Sequence, residues 1–193
     1  MLATWSWAAS PAAAETPVGL VSGFCDVLSE VMRQATTVGQ HGRVVRLEAA
    51  ISRAFDLEAI TRDAVGPAWD GMTPASRARL VQAVGHALAV DYASQVDHQE
   101  EGQRLVVLPA TVQKRDGIMV ETRLLAPDAD PIERNYLVRQ GPGGWRIFDV
   151  LLMGGASEQA TRRAEFTSVI ARRGVDGLIS ILEELARTPP AAR

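Results

Sequence analysis

Apolar residues recur at three- and four-residue intervals through the first half of the chain. Leu20, Val21, Phe24, Val27, Leu28, Val31 and Met32 form one such stripe and predict a helix over 18–35. Gly39 and Gly42 interrupt the pattern, and Val44, Leu47, Ile51 and Phe55 mark a second helix from about Arg43. Asp56 stands where an N-cap belongs for a third helix, 57–65, which Gly66-Pro67 ends. Thr73-Pro74 then opens the longest helix, reaching about His98, with Leu80, Val81, Val84, Leu88 and Tyr92 on its apolar stripe.

After His98 the period shortens to two. Residues 105–112, 118–125, 132–139 and 145–152 read as four strands. Asp116-Gly117 is a two-residue hairpin turn, Gly141-Pro142-Gly143-Gly144 a longer one, and 127–131 link the middle pair. Such short connections predict an antiparallel meander. Ile118, Val120, Thr122 and Leu124 share one face of the second strand. Leu105-Val106-Val107-Leu108 is apolar on both faces, which predicts a central strand or one covered on both sides. Two helices, 158–173 and 175–187, close the chain and are parted at Arg173-Gly174. Helices, then a meander, then helices give an α+β class, with the helices wrapped on the concave side of one twisted antiparallel sheet of four to five strands.

Length and composition refine this picture. The 193 residues suit a single domain, placed at 18–187, with a tail at 188–193. Residues 1–17 read either as a signal-peptide remnant or as a disordered Ala-rich tail. The uncharged stretch with Trp5 and Trp7 ends in Pro11-Ala12-Ala13-Ala14, but no basic residue precedes Arg33. No other run has the roughly 18 apolar residues of a spanning helix, so the mature chain is expected to be soluble. A net charge of −3 argues against general nucleic-acid affinity. The one cysteine, Cys25, excludes an intramolecular disulfide and is expected to be a small buried side chain on a helix.

Candidate chemistry is sparse. His41, His86 and His98 have no metal-ligand spacing, so no metal site is expected. No G-x-S-x-G elbow, phosphate-binding loop or dinucleotide fingerprint is present. Asp149 lies in an otherwise apolar strand, on the face of Trp145, Ile147 and Leu151. A carboxylate there needs a partner or a raised pKa. It is either a general base in a cavity or a structural anchor paired to an arginine of the following helix, and the anchor reading is preferred. The aliphatic side chains far outnumber the four Phe, four Trp and two Tyr. Such a supply suits flexible hydrocarbon as well as it suits an ordinary core.

Three stretches carry a family resemblance. Phe55-Asp56-Leu57-Glu58-Ala59-Ile60 running through Gly66 to Trp69 is the first. Met72-Thr73-Pro74 with Arg77, Leu88 and Tyr92-Ala93 is the second. Trp145-Arg146-Ile147-Phe148-Asp149-Val150, with Arg163 to Phe166, Arg173-Gly174 and Asp176-Gly177-Leu178, is the third. In order and spacing they resemble the MlaC-like (toluene-tolerance) periplasmic phospholipid-binding proteins, including the branch associated with hopanoid biosynthesis. The resemblance covers about Val18 to Leu185. It implies a cone-like fold similar to nuclear transport factors with added helices. It also implies a soluble periplasmic carrier that holds the acyl chains of a phospholipid or related lipid in a cavity, the headgroup near solvent. The cargo lipid is then the only bound group, and no catalysed reaction is implied. The implied partners are an inner-membrane ABC-type transport complex and an outer-membrane lipoprotein complex.

The chain departs from the family pattern at Ser76, at Leu80 and Val84, and at Gly155-Ala156-Ser157-Glu158. Smaller side chains there would suit a bulkier, hopanoid-like lipid. The expected lipid-binding residues are Leu80, Val84, Leu88, Tyr92, Val120, Leu124, Leu137, Val150, Leu152 and Phe166, with Tyr92 at the cavity mouth. Two alternatives stand beside the carrier: a small-molecule enzyme on the same cone with Asp149 as base, and a membrane-complex adaptor that holds no lipid.

Overall fold

A computed structural model describes residues 16–34, 37–96 and 102–187. The tail expected at 188–193 and residues 1–15 of the one expected at 1–17 lie outside the described residues. The remaining two, Thr16 and Pro17, belong to the first helix. Helix α1 spans Pro17–Arg33, and the Thr16 hydroxyl accepts the Gly19 N–H at 3.0 Å. That cap satisfies one of the helix's free donors, and proline in the first turn has no donor to satisfy. Helices α2 (Gln40–Ala54) and α3 (Leu57–Val65) follow. A 3₁₀ turn at Gly66–Trp69 leads into α4, Pro74–Val96.

The sheet contains β1 (Arg104–Lys114), β2 (Gly117–Ala126), β3 (Ala129–Glu133), β4 (Asn135–Gly141) and β5 (Gly144–Leu151). All pairings are antiparallel, in the order β1-β2-β4-β5, with β3 also on β2. The single strand expected over 132–139 is two strands broken at Arg134. The cause is Thr122, whose hydroxyl donates to the Arg134 carbonyl while its N–H donates to Asn135 Oδ1 at 3.2 Å. The Arg134 N–H still donates to Thr122 O at 3.2 Å, so the two side-chain bonds take over only part of the ladder at the break. The first strand also differs from expectation. It is an edge strand, and its Leu105 to Leu108 segment is only half-buried beneath α1.

A β-bulge at Phe148 resets the alternation of β5. Val138 pairs with Ile147, yet Leu137 pairs with Asp149 and Tyr136 with Val150. Ile147 and Val150 therefore both face the helices and are buried, at 0% and 2% exposure. Asp149 leaves the apolar face on which an unbroken period of two had placed it.

One ring ties the layers together. Phe24 of α1 meets Phe55 at 5.2 Å, Tyr92 of α4 at 5.4 Å and Tyr136 of β4 at 5.9 Å, each edge to face. Each such pair contributes about 0.5–1.5 kcal/mol beyond area burial. Asp56 fixes the neighbouring helix. Its carboxylate accepts the Ala59 N–H at 3.1 Å, pairs with Arg139 of β4 at 3.1 Å, and its backbone N–H donates to Ile147 O at 2.8 Å.

The last helix, α5, spans Glu158–Arg187 and breaks at Gly174, where φ is 68° and ψ is 179°. This agrees with the two helices expected at 158–173 and 175–187. The conformation is essentially confined to glycine. A Cβ at Gly174 would meet nothing within 4 Å, so the constraint is backbone torsion rather than space. Gly174→Ala is expected to cost about 1–3 kcal/mol in denaturant unfolding, while an equally exposed helix position such as Ala171→Gly costs about 1 kcal/mol.

Candidate functional site

The register of the sheet builds a row of apolar side chains across three strands. Leu105 of β1 pairs with Leu124 of β2, and Leu124 pairs with Ile132 of β3. Side chains at i and i+2 share a face, so this row lies on the same side as Val120 and Tyr136, toward the helices. Leu28 and Met32, from the last turns of α1, stand over it. Tyr92 and Gln95 close it from the end of α4, and Leu152, Met153 and Ala156 from the β5–α5 link. Together these elements enclose a cavity of about 620 Å³, within the range of ligand sites. Its wall is predominantly apolar. Ile132, Leu152 and Met153 are exposed at its mouth, Met153 most of all at 63%.

The inner end is different. Tyr92 and Tyr136 are buried, and the Tyr136 hydroxyl interacts with the Tyr92 hydroxyl and with the Arg134 guanidinium. The two phenols lie close to each other and to Arg134, whose guanidinium sits 5.0 Å over the Tyr92 ring. Burial pushes both phenols well above their usual pKa, so they stay protonated donors. Arg134 is half-buried and lies 3.9 Å from Glu158, too far for a hydrogen bond. Burial raises the Glu158 carboxyl above its ordinary pKa, against the pull of Arg134 and Arg162.

Asp149 organises the cavity's edge without facing into it. Its carboxylate accepts the Ser157 hydroxyl at 2.6 Å, the Gln159 N–H at 3.0 Å and the Val150 N–H at 2.7 Å. The Ser157 hydroxyl caps α5 by accepting the Ala160 N–H at 2.9 Å, and Asp149 adds a second acceptor for the first turn and ties it to β5. This is the preferred structural anchor, but its partners are helix-terminal donors, not the arginine expected. Gln159 carries the link onward by donating to Ile60 O of α3 at 2.7 Å.

Of the expected lipid-binding residues, Tyr92, Leu124 and Leu152 line the cavity. Leu88 lines an adjoining groove of about 300 Å³ shared with Tyr92 and Leu152. Leu80, Val84, Val120, Val150 and Phe166 are buried in the core away from the cavity wall. Leu137 pairs with Met119 and Asp149, so it alternates to the opposite face of the sheet. Tyr92 is not at the mouth: at 2% exposure it lies at the inner end. The α4 stripe explains the division. Leu80 to Tyr92 is twelve residues, or about 18 Å of helix, so only its last turn reaches the cavity while the rest packs on α2 and α5.

Leu28, Met32, Leu105, Ile132, Arg134 and Tyr136 line the cavity but were not among the residues expected to do so. Most were visible as members of apolar stripes, and the signal that would have chosen them is strand register.

Other polar groups are occupied elsewhere. His86 pairs with Glu48 between α4 and α2. Arg77 donates to Trp69 O at 2.9 Å and stacks on the Trp69 ring. Both pairs border a second cavity of about 700 Å³ between α2, α3 and α4, which is rimmed by Glu48, Glu58, Arg77, Gln82 and His86. Cys25 is buried as expected, its thiol pushed up to about 12 by burial, so it is no nucleophile near neutral pH. Among the described residues no cluster of metal-ligating side chains occurs, and no helix is long and apolar enough to cross a membrane.

The sequence model of the family described as "MlaC protein" matches residues 25–184. None of the curated proteins matches the chain. Among solved structures, the phospholipid-binding protein from Ralstonia solanacearum in complex with a phospholipid is similar, with a TM-score of 0.73 at 22% identity. The match covers 91% of this chain and 98% of that one. At that identity the likeness establishes the shared fold.

The Asp149 cap generates a test. Asp149→Ala removes three accepted hydrogen bonds, two of them from the α5 N-terminus, and is expected to cost about 1–3 kcal/mol in denaturant unfolding. Hydrogen exchange should quicken at Gln159 and Ala160 while the amides of β2 stay protected.

Proposed function

The chain belongs to the MlaC family, and from that membership and its apolar cavity we propose that it is a lipid carrier. The cavity accepts the acyl chains of a phospholipid or a related lipid, a hopanoid-like one included. The observation that carries this reading is the row Leu105, Leu124 and Ile132 facing Leu28 and Met32 across about 620 Å³. The fold is the one in which the Ralstonia solanacearum protein binds a phospholipid.

Physically, the site suits transfer rather than chemistry. Burying each methylene is worth about 0.8 kcal/mol, so a long chain is held firmly with no covalent step. Aliphatic walls impose little geometric demand on flexible hydrocarbon. The enzyme alternative required Asp149 as a base, and its oxygens are already engaged by Ser157, Gln159 and Val150. In the proposed cycle the protein works in the periplasm. It exchanges lipid with an inner-membrane ABC-type complex and an outer-membrane lipoprotein complex, as the family implies. Of the residues expected from sequence, Tyr92, Leu124 and Leu152 are the proposed ligand contacts, with Leu88 beside them.

Native mass spectrometry of the protein purified from cells is expected to show one co-purified lipid per chain. Leu124→Trp should fill the cavity and reduce that lipid at least tenfold, while circular dichroism remains that of the parent. Val81→Trp, in the second cavity, should leave the lipid content unchanged. A parent protein free of lipid, or equal lipid in Leu124→Trp, would contradict the carrier reading.

A further inference from the structure

The five residues that join β5 to α5 are pinned at both ends and bonded to themselves between. Leu151 bridges to Ser157, and the Asp149 carboxylate accepts the Ser157 hydroxyl and the Gln159 N–H. The two ends of segment 152–156 therefore meet and are fixed to the frame. Inside it, the Leu152 N–H donates to Ala156 O and the Gly155 N–H to Leu152 O, both at 2.9 Å, so these bonds travel with the segment. Gly154 and Gly155 stand at φ of 76° and 81°, and a Cβ on either would meet nothing within 4 Å. Glycine takes left- and right-handed torsions about equally, so both positions turn without strain or collision.

The segment also stands at the one apolar opening of the surface. Of the six large apolar side chains exposed among the described residues, Ile132, Leu152 and Met153 ring the cavity mouth, Ile132 on the β3 side and the other two on the segment. No residue of 152–156 belongs to the buried core. Leu152 and Ala156 line both the cavity and the adjoining groove, so the segment is a thin partition with space on either side.

We propose that residues 152–156 form a clasp that closes over the cargo, turning about Gly154 and Gly155 and carrying Met153 across the mouth toward Ile132. The proposal rests on the carrier reading and adds how the mouth is sealed once the cavity is filled. In the empty protein the Met153 side chain has only water over most of its surface, at 63% exposure. With acyl chains in the cavity, closure takes Met153, Leu152 and the outermost methylenes out of water together. An unbranched thioether suits this contact, because it conforms to irregular hydrocarbon. The cargo shifts the balance because its chains touch the closed strap and not the open one. The lipid headgroup stays on the solvent side of the strap.

The test uses the full chain stripped of lipid and then reloaded with dioleoyl phosphatidylglycerol. In the parent chain, oxidation of Met153 by dilute hydrogen peroxide, read by mass spectrometry, is expected to slow about tenfold on loading. Cargo lying over an unmoved strap would also shield Met153, so a second measurement separates the two. The double variant Met153→Cys, Ile132→Cys places a thiol on each lip of the mouth, at exposed positions that leave the core untouched. Cys25 does not compete, because its buried thiol is pushed up to about 12. A disulfide needs the two Cα atoms within about 7 Å, so closure brings it within reach and an intervening chain under an open strap hinders it. Disulfide formation is expected to quicken about tenfold on loading, and the bridged protein should keep its lipid when mixed with acceptor vesicles until it is reduced. Unchanged Met153 oxidation on loading, or disulfide formation that stays level or slows, overturns the clasp and leaves the carrier intact. The oxidation assay needs no variant, so a misfolded double variant does not shield the proposal. If the phospholipid does not load and none co-purifies from cells, both fall.

Discussion

The packing of Phe24 against three other rings is the interaction on which the rest of the structure depends. It joins α1 to Phe55 at the α2–α3 junction, to Tyr92 in α4 and to Tyr136 in β4. Four elements distant in sequence thus share one point of contact. On one side of that point the helices pack on each other and on the sheet, and the core is filled by Leu47, Ile51, Leu80 and Val84. On the other side the sheet continues through Leu105, Leu124 and Ile132, but helical cover comes only from the end of α1 and the last turn of α4. The cavity is the space between a wide sheet and a narrow helical roof. Its inner wall is made by the same tyrosines that pin the layers.

The acidic residues that invite catalytic readings are used to hold this arrangement. Asp56 caps α3 and pairs with Arg139 of β4, so it fastens a helix to the sheet. Asp149 does the same for α5 from β5. Both place an acceptor at a helix start, where backbone donors are unsatisfied and a carboxylate is favourable.

Most of the secondary structure was legible because it follows from periodicity. The helix stripes and the break at Gly174 rest on local chemistry that needs no tertiary information, and the β1–β2 hairpin was found one residue out of place, its turn being Arg115-Asp116 with Gly117 already paired to Lys114. The failures were non-local. Thr122 and Asn135 cut the third expected strand at Arg134 through contacts twelve and thirteen residues apart in sequence. The Phe148 bulge moved Asp149 to the other face, and nothing in an alternating pattern announces where a bulge falls. The edge position of β1 was hidden because a helix laid over a strand and a neighbouring strand both favour apolar residues. Cavity lining was the hardest part to read. Leu80, Leu88 and Tyr92 share one stripe and one degree of burial, yet only the distance along α4 decides which of them meets the cavity.

The central claim is that cargo chains lie between the end of α1 and the row Leu105, Leu124 and Ile132. A phospholipid carrying a photoreactive diazirine in one acyl chain tests it most directly. After irradiation of the loaded protein, the modified peptides are sequenced by mass spectrometry. The account predicts adducts at Leu28, Met32, Leu105 and Leu124 and none at Ser52, Leu57 or Val81 of the second cavity. Adducts confined to the second cavity, or scattered over the surface in proportion to exposure, would contradict it.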